Sequence, residues 1–266
     1  KLTYLLYSRS NNFSILFNSQ LKFKYFYEFT NVNADTSTFQ IPLARMIFSG
    51  NAFIKEFKYY LQTEFGKGDF DNLLLDFYTE YDYKEYLKFR VGQFKVPYNR
   101  QNLVTDNSLL FTSRSITNEE FNLGRDIGFK LYGYLFDNKK LEYQLGAFNG
   151  NGMNNETDSN RFPLMISRIT YMPFGYLPYD ERLFSDDDFK VAIGASGAYT
   201  ELIEAIGDND ISTDTIWLGS DITAKTQNSM FQSEFLYRYK NPEDVATDTT
   251  TAMAYYAQYG YFVFSN

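Results

Sequence analysis

The chain has 266 residues with 25 basic and 33 acidic side chains, a net charge of −8 that offers no basic face to a nucleic-acid backbone. It has no cysteine, so disulfides and thiolate metal sites are excluded, and no histidine, which removes Ser-His-Asp triads, Cys-His dyads and imidazole metal ligation. A fifth of the residues are aromatic, 27 Phe and 24 Tyr against one Trp, yet mean hydropathy is −0.40.

Residues 1–7 carry too short an apolar run for a signal peptide, with no small-residue cleavage site after it. No stretch approaches the ~18 consecutive apolar residues of a membrane helix. From residue 13 onward the period is two. Phe13, Ile15, Phe17, Leu21, Phe23, Tyr25 and Tyr27 alternate with Ser14, Asn18, Gln20, Lys22, Lys24 and Glu28. Side chains of successive strand residues point to opposite faces, so one face is apolar and the other polar. A strand over 38–48 follows, then one in which Phe57, Tyr59, Leu61 and Phe65 oppose Glu56, Lys58, Gln62 and Glu64. Strands over 73–81 and 84–96 precede a long connection, 97–124. Ile127, Phe129 and Leu131 then oppose Asp126, Lys130 and Tyr132, and Leu141, Tyr143 and Leu145 oppose Lys140, Glu142 and Gln144. Further strands are predicted at 163–172, 189–199 and 214–225. Two last ones carry Phe231, Phe235, Tyr237 against Gln232, Glu234, Arg238, and Met253, Tyr255, Tyr259 against Ala254, Gln258.

The predicted fold class is therefore all-β, with twelve strands in an antiparallel up-and-down transmembrane β-barrel, read as one domain over 1–266. A soluble sandwich also alternates, but its strands average about five or six residues. Here they run near ten, and the aromatic residues suit girdles at the two membrane interfaces. Short and long connections also alternate. The long ones, 31–37, 66–72, 97–124, 149–162, 200–213 and 240–250, are expected outside the cell, and the short ones at 49–52, 82–83, 137–139 and 226–228 in the periplasm. The connection 173–188 breaks this rule, being long on the periplasmic side.

At Arg90-Val-Gly-Gln-Phe-Lys-Val-Pro-Tyr-Asn-Arg100 the sequence begins to resemble the phosphate-selective porin O and P family. The resemblance continues, in order, through Leu109-Leu-Phe-Thr-Ser-Arg-Ser115, Gly124-Arg-Asp-Ile-Gly128, Tyr143-Gln-Leu-Gly-Ala-Phe-Asn-Gly150, Ser167-Arg-Ile-Thr-Tyr-Met-Pro-Phe-Gly175 and Tyr255-Tyr-Ala-Gln-Tyr-Gly-Tyr-Phe262. It implies a bacterial outer-membrane porin with a sixteen-stranded barrel, usually a homotrimer in lipid and lipopolysaccharide, whose third loop folds inward to narrow the pore. Residues 97–124 occupy the place of that loop. Twelve strands, and an end in Val263-Phe-Ser-Asn266 without a terminal aromatic residue, lead to the expectation of further strands beyond residue 266.

The function expected is passive diffusion of small hydrophilic solutes or ions, with no enzymatic activity, no cofactor and no metal. Pore selectivity depends on rings of charge. The polar faces total eleven basic against nine acidic side chains, so the wall is nearly balanced. Residues expected at the constriction are Arg90, Lys95, Arg100, Arg114 and Arg125; those expected to line the pore are Arg45, Lys22, Lys24, Lys58, Lys88, Lys130 and Arg168. These arginines either line a weakly anion-preferring path or pair with acids such as Asp106, Glu119 and Glu120 of the same loop. Residues 208–214 loosely resemble a calcium loop but lack its Gly and terminal Glu, and read as a solvated surface loop. Other readings are a non-conducting barrel that sheathes a partner, and a surface β-rich binding protein.

Overall fold

A computed structural model describes residues 2–6, 13–28, 36–66, 73–155, 160–182, 189–206, 209–243 and 248–263. The chain divides into two compact units, residues 1–81 with 92–94, and residues 82–91 with 95–266. The described residues form thirteen β-strands and two short helices.

In the first unit β1 (Leu2–Leu6), β2 (Phe13–Glu28), β3 (Thr36–Ala52), β4 (Ile54–Glu64) and most of β5 (Leu74–Lys84) pair antiparallel in chain order. The alternation that begins at Phe13 thus becomes β2 through Glu28, and the stretch 2–6 adds a strand that its short apolar run did not announce. The connection expected at 49–52 is tighter than that. β3 runs through Ala52 and the chain reverses at Phe53, which takes a positive φ of 67°.

The second unit takes up most of β6 (Leu87–Lys95), then β7 (Arg125–Leu135), β8 (Leu141–Phe148), β9 (Phe162–Tyr171), β10 (Lys190–Ile206), β11 (Asn209–Lys225), β12 (Ser229–Pro242) and β13 (Thr250–Tyr261). From β7 onward each strand pairs antiparallel with the next. The short turns expected at 137–139 and 226–228 are present; the one expected at 82–83 lies a few residues later, between β5 and β6.

One long connection was misplaced. The segment 200–213, expected as an outside loop, is strand over 200–206 and 209–213, with Thr200 opposite Thr215 and the pairing continuing to Ile206 opposite Asn209. Thr200, Ile203, Ile206, Ile211, Thr213 and Thr215 are β-branched and favour the pleat, and the acidic residues among them hid that preference. The calcium-like stretch is therefore mostly strand, and no group of three metal-ligating side chains occurs among the described residues. Of the expected connections 31–37 and 66–72, residues 31–35 and 67–72 lie outside the described residues, as does the acidic run 186–188, while Thr36 and Ser37 begin β3.

Burial in the second unit is inverted relative to a water-soluble sheet. Ile169, Leu218 and Tyr255 are 53%, 51% and 80% exposed, while Arg168 and Glu234, on the opposite face, are 2% and 1% exposed. Apolar side chains facing outward over this many strands require a hydrocarbon solvent. No helix among the described residues is long and apolar enough to cross a membrane; the strands make the crossing. At ~3.4 Å per residue and a 45° tilt, 17 residues rise about 40 Å, so β10 and β11 run past a hydrocarbon core of about 30 Å.

Leu218 sits near the middle of β11 on the outward face. Leu218→Arg is expected to weaken folding into lipid bilayers by about 2–4 kcal/mol, read from equilibrium refolding in vesicles. A cost near zero would mean that this face does not meet lipid.

Candidate functional site

The buried face of the second unit is polar, and the chain covers it with its own connections. The feet of the 97–124 loop are joined where the Val96 amide donates to the Gly124 carbonyl at 3.0 Å. Between them lie α1 (Arg100–Leu103), a 3-10 turn at Asp106–Ser108, and α2 (Ile116–Phe121), whose N-terminus is capped by the Ser115 hydroxyl. Lys95 reaches from the end of β6 to donate to the carbonyls of Asn102 and Val104, which closes the C-terminal end of α1. At its other end Glu234 of β12 accepts from the amides of Arg100 and Gln101 and from the Tyr256 hydroxyl. The loop therefore lies against β11, β12 and β13. The Tyr98 hydroxyl donates to Leu218 O at 2.8 Å and Thr117 Oγ1 to Tyr255 O at 3.3 Å, while Arg238 pairs with Glu120 at 3.1 Å. Burial, with Glu234 nearby, pushes the Tyr98 hydroxyl up, so it stays a donor.

Arg168 is the hub of the wall. Its Nη2 meets Asp221 Oδ2 at 2.5 Å, Nη1 donates to the Tyr98 carbonyl at 2.8 Å, and Nε lies 3.3 Å from the Tyr179 hydroxyl. The Arg168–Asp221 pair spans from β9 to β11 over Gly194 of β10, where a Cβ would clash with both charged groups. Both partners are buried, and a buried charge stays only when paired and hydrogen-bonded.

The anomalous connection after β9 also covers this face. It turns through Gly175 at φ 90°, and Leu177 packs with Met172 and Ala192 against Tyr134. Beyond that anchor the Tyr179 hydroxyl donates to Glu142 Oε2 at 2.5 Å. Burial and the Glu142 charge raise the Tyr179 hydroxyl, so it too remains protonated. Lys225 donates to the carbonyls of Asp180 and Arg182. Burial alone would raise the Asp180 carboxyl, but the hydrogen bonds and charge of Arg182 hold it below its ordinary 3.8. Its contribution is therefore complete above that pH and lost only as pH falls below it.

The predicted site residues separate into groups. Arg100 and Arg114 do lie in the loop, but they do not face open space. Arg114 donates to Asp106, to Gln101 O and to Val104 O, and Arg100 is 1% exposed with its Nη2 on Pro178 O. Arg168 is equally committed. Of the two readings open for these arginines, their contacts fit pairing within the protein: Arg114 and Arg168 each meet an acid and a carbonyl, and Arg100 a carbonyl. Lys95 is likewise spent on the loop's own carbonyls, and Arg125 is half-buried at the start of β7. In the first unit Arg45 pairs with Glu64 at 2.6 Å and Lys58 is half-buried on β4. Lys22 and Lys24 lie on β2, with side chains outside the described residues.

Three predicted residues do converge. Lys88 and Arg90 of β6 and Lys130 of β7 surround the Tyr132 ring at 6.0, 5.5 and 4.5 Å from its centroid. Lys88 also meets Asp82 at 3.2 Å and Lys130 donates to Gln144 at 2.8 Å. Sequence reasoning missed Tyr98, Tyr179, Glu181 and the structural use of Glu234. The one signal available was the excess length of 173–188.

A wall of long antiparallel strands, apolar outside, charged inside and covered on that inner face by its own loop, defines an outer-membrane protein of the porin class. The sequence profile of the phosphate-selective porin O and P family matches residues 13–266, and the chain belongs to that family. Among solved structures it is similar to the anion-selective porin from Comamonas acidovorans, with a TM-score of 0.65 at 12% identity over 93% of this chain and 74% of that one. It is also similar to OmpT of Vibrio cholerae in its trimer form (TM-score 0.45, 11% identity, 96% of this chain and 85% of that one). At such identities the likeness is one of fold. No curated protein sequence matches significantly. The protein is a porin of the bacterial outer membrane, and its family and fold are those of a channel rather than an enzyme.

Removing one partner of a buried ion pair strands the other. Asp221→Asn is expected to destabilise the folded protein by roughly 3–5 kcal/mol, read from the loss of heat-modifiable migration at lower temperature or denaturant. Unchanged stability would show the pair to be solvated.

Proposed function

We propose that the chain forms a single passive diffusion channel with a weak preference for small anions. The observation that carries this reading is the convergence of Lys88, Arg90 and Lys130 around Tyr132. The Arg114 and Arg168 guanidinium groups meet protein acceptors and Arg100 is buried against Pro178 O and the Tyr179 ring, so we assign the preference to this smaller cluster, in which Lys88 also pairs with Asp82 and Lys130 with Gln144. Membership of a family described as phosphate-selective supports an anionic solute class. Phosphate itself is not singled out, because the arginines that a phosphate track would need are engaged. In this channel 97–124 narrows the lumen, and the functional assembly is a homotrimer set in outer-membrane lipid and lipopolysaccharide.

Planar-bilayer recording tests the reading. Discrete ohmic steps are expected, with a zero-current potential of anion-preferring sign in a salt gradient. A charge about 4 Å from a passing ion acts with about 1 kcal/mol in water-like surroundings. Lys88→Gln with Arg90→Gln and Lys130→Gln should therefore lower the anion-to-cation permeability ratio several-fold, most clearly at low ionic strength. Absence of steps from the folded wild type would overturn the channel, and an unchanged ratio would overturn the role of the cluster. Migration of the unheated protein near three times the monomer mass is expected of the trimer, and its absence in cross-linked membranes would count against it.

A further inference from the structure

We propose that residues 173–182 form a latch, entering from the end of the sheet opposite the 97–124 loop, that holds that loop in its narrowing position through Tyr179 and Glu181. The inference rests on the channel reading and adds a second inward element to it.

The strand directions place the two connections at opposite ends. The 97–124 loop follows β6, and three antiparallel steps later the chain leaves β9 at the other end. They nevertheless meet. The Glu181 amide donates to Ser108 O at 2.8 Å, Glu181 Oε2 accepts from the Leu110 amide at 2.8 Å, and Arg100 Nη2 donates to Pro178 O at 3.0 Å. The Arg100 guanidinium also lies 4.9 Å above the Tyr179 ring. Arg100 Nε and Nη1 are buried with no hydrogen-bond partner among the described residues. The Pro178 carbonyl and the Tyr179 ring are thus what the segment offers a charge that has left bulk water.

The latch is itself pinned to the wall. Tyr179 reaches Glu142 on β8 and Arg168 on β9, Glu181 Oε1 accepts from Gln232 on β12, and Lys225 of β11 holds two carbonyls of the segment. Tyr179 is accordingly a positioning residue: it contacts no solute path directly and acts by fixing Arg100 and, through it, α1. Withdrawing the ring leaves Arg100 with one acceptor and a buried charge, a condition relieved by movement of the loop toward water.

The test is single-channel recording of the full chain carrying Tyr179→Ala, Tyr179→Phe or Glu181→Gln, with heat-modifiable migration as the control for folding. Tyr179→Ala should raise conductance roughly twofold or more and add open-channel flicker. Tyr179→Phe keeps the ring beneath Arg100 and should fall between Ala and wild type. Wild-type amplitude and noise in Tyr179→Ala would overturn the latch while leaving the channel intact.

A second measurement covers failure of conduction in every form. The chain has no native cysteine, so Ser108→Cys with Glu181→Cys reports the contact alone. Rapid disulfide formation in folded, membrane-inserted protein is expected, and its absence under oxidant would overturn the latch whatever the recordings show.

Discussion

A peptide group crossing hydrocarbon has no water to bond, so each strand must give its amides and carbonyls to two neighbours, and the side chains are then sorted by solvent. From that one constraint the rest of the second unit follows. The apolar row, with Phe129, Leu145, Ile169 and Leu218, faces outward, and the polar row faces inward. The inward row cannot stay dry and unpaired. Glu142, Arg168, Asp221 and Glu234 are all nearly buried, and each is met by another side chain or by a backbone group of a connection folded against the sheet. The loop covering the wall and the charges on the wall are two halves of one arrangement, since neither would be stable there alone.

Within that arrangement small residues matter as much as charged ones. Gly194 leaves the gap through which Arg168 reaches Asp221, and Gly219 leaves room for the Tyr98 ring, which a Cβ there would approach to 3.3 Å. Tyr98 in turn offers Arg168 its carbonyl while its hydroxyl returns to the β11 backbone. A glycine on one strand, an arginine on the next and an aromatic residue in a loop are thus a single unit, whose members are far apart in sequence.

That separation explains what the sequence could disclose. Period-two alternation depends only on neighbours along the chain, so the twelve expected strands reappear, from β2 with Phe13 and Phe17 to β13 with Tyr255 and Tyr259. The long 97–124 segment was recognisable by length and by its colinear resemblance to a known family. The acidic stretch 208–214 misled, because charges at a strand end look like a loop until their β-branched partners across the hairpin are known. Side-chain destinations were less legible still. That Arg114 pairs with Asp106 was one of two open readings, and nothing local indicated that Arg100 would end above Tyr179, 79 positions away.

Counting arginines therefore gives a poor measure of what a pore of this kind selects. A guanidinium has five donors in a rigid fork, and a loop rich in exposed carbonyls at helix ends competes for them with any solute. Arg114 is captured in this way by Gln101 and Val104, and Arg100 by Pro178. A lysine is a compact charge whose ammonium can rest against an aromatic face, as Lys130 does at Tyr132. The geometry thus separates the two cations: Arg100, Arg114 and Arg168 tie the 97–124 loop to itself, to the 173–182 segment and to the wall, while Lys88, Arg90 and Lys130 gather at one aromatic ring.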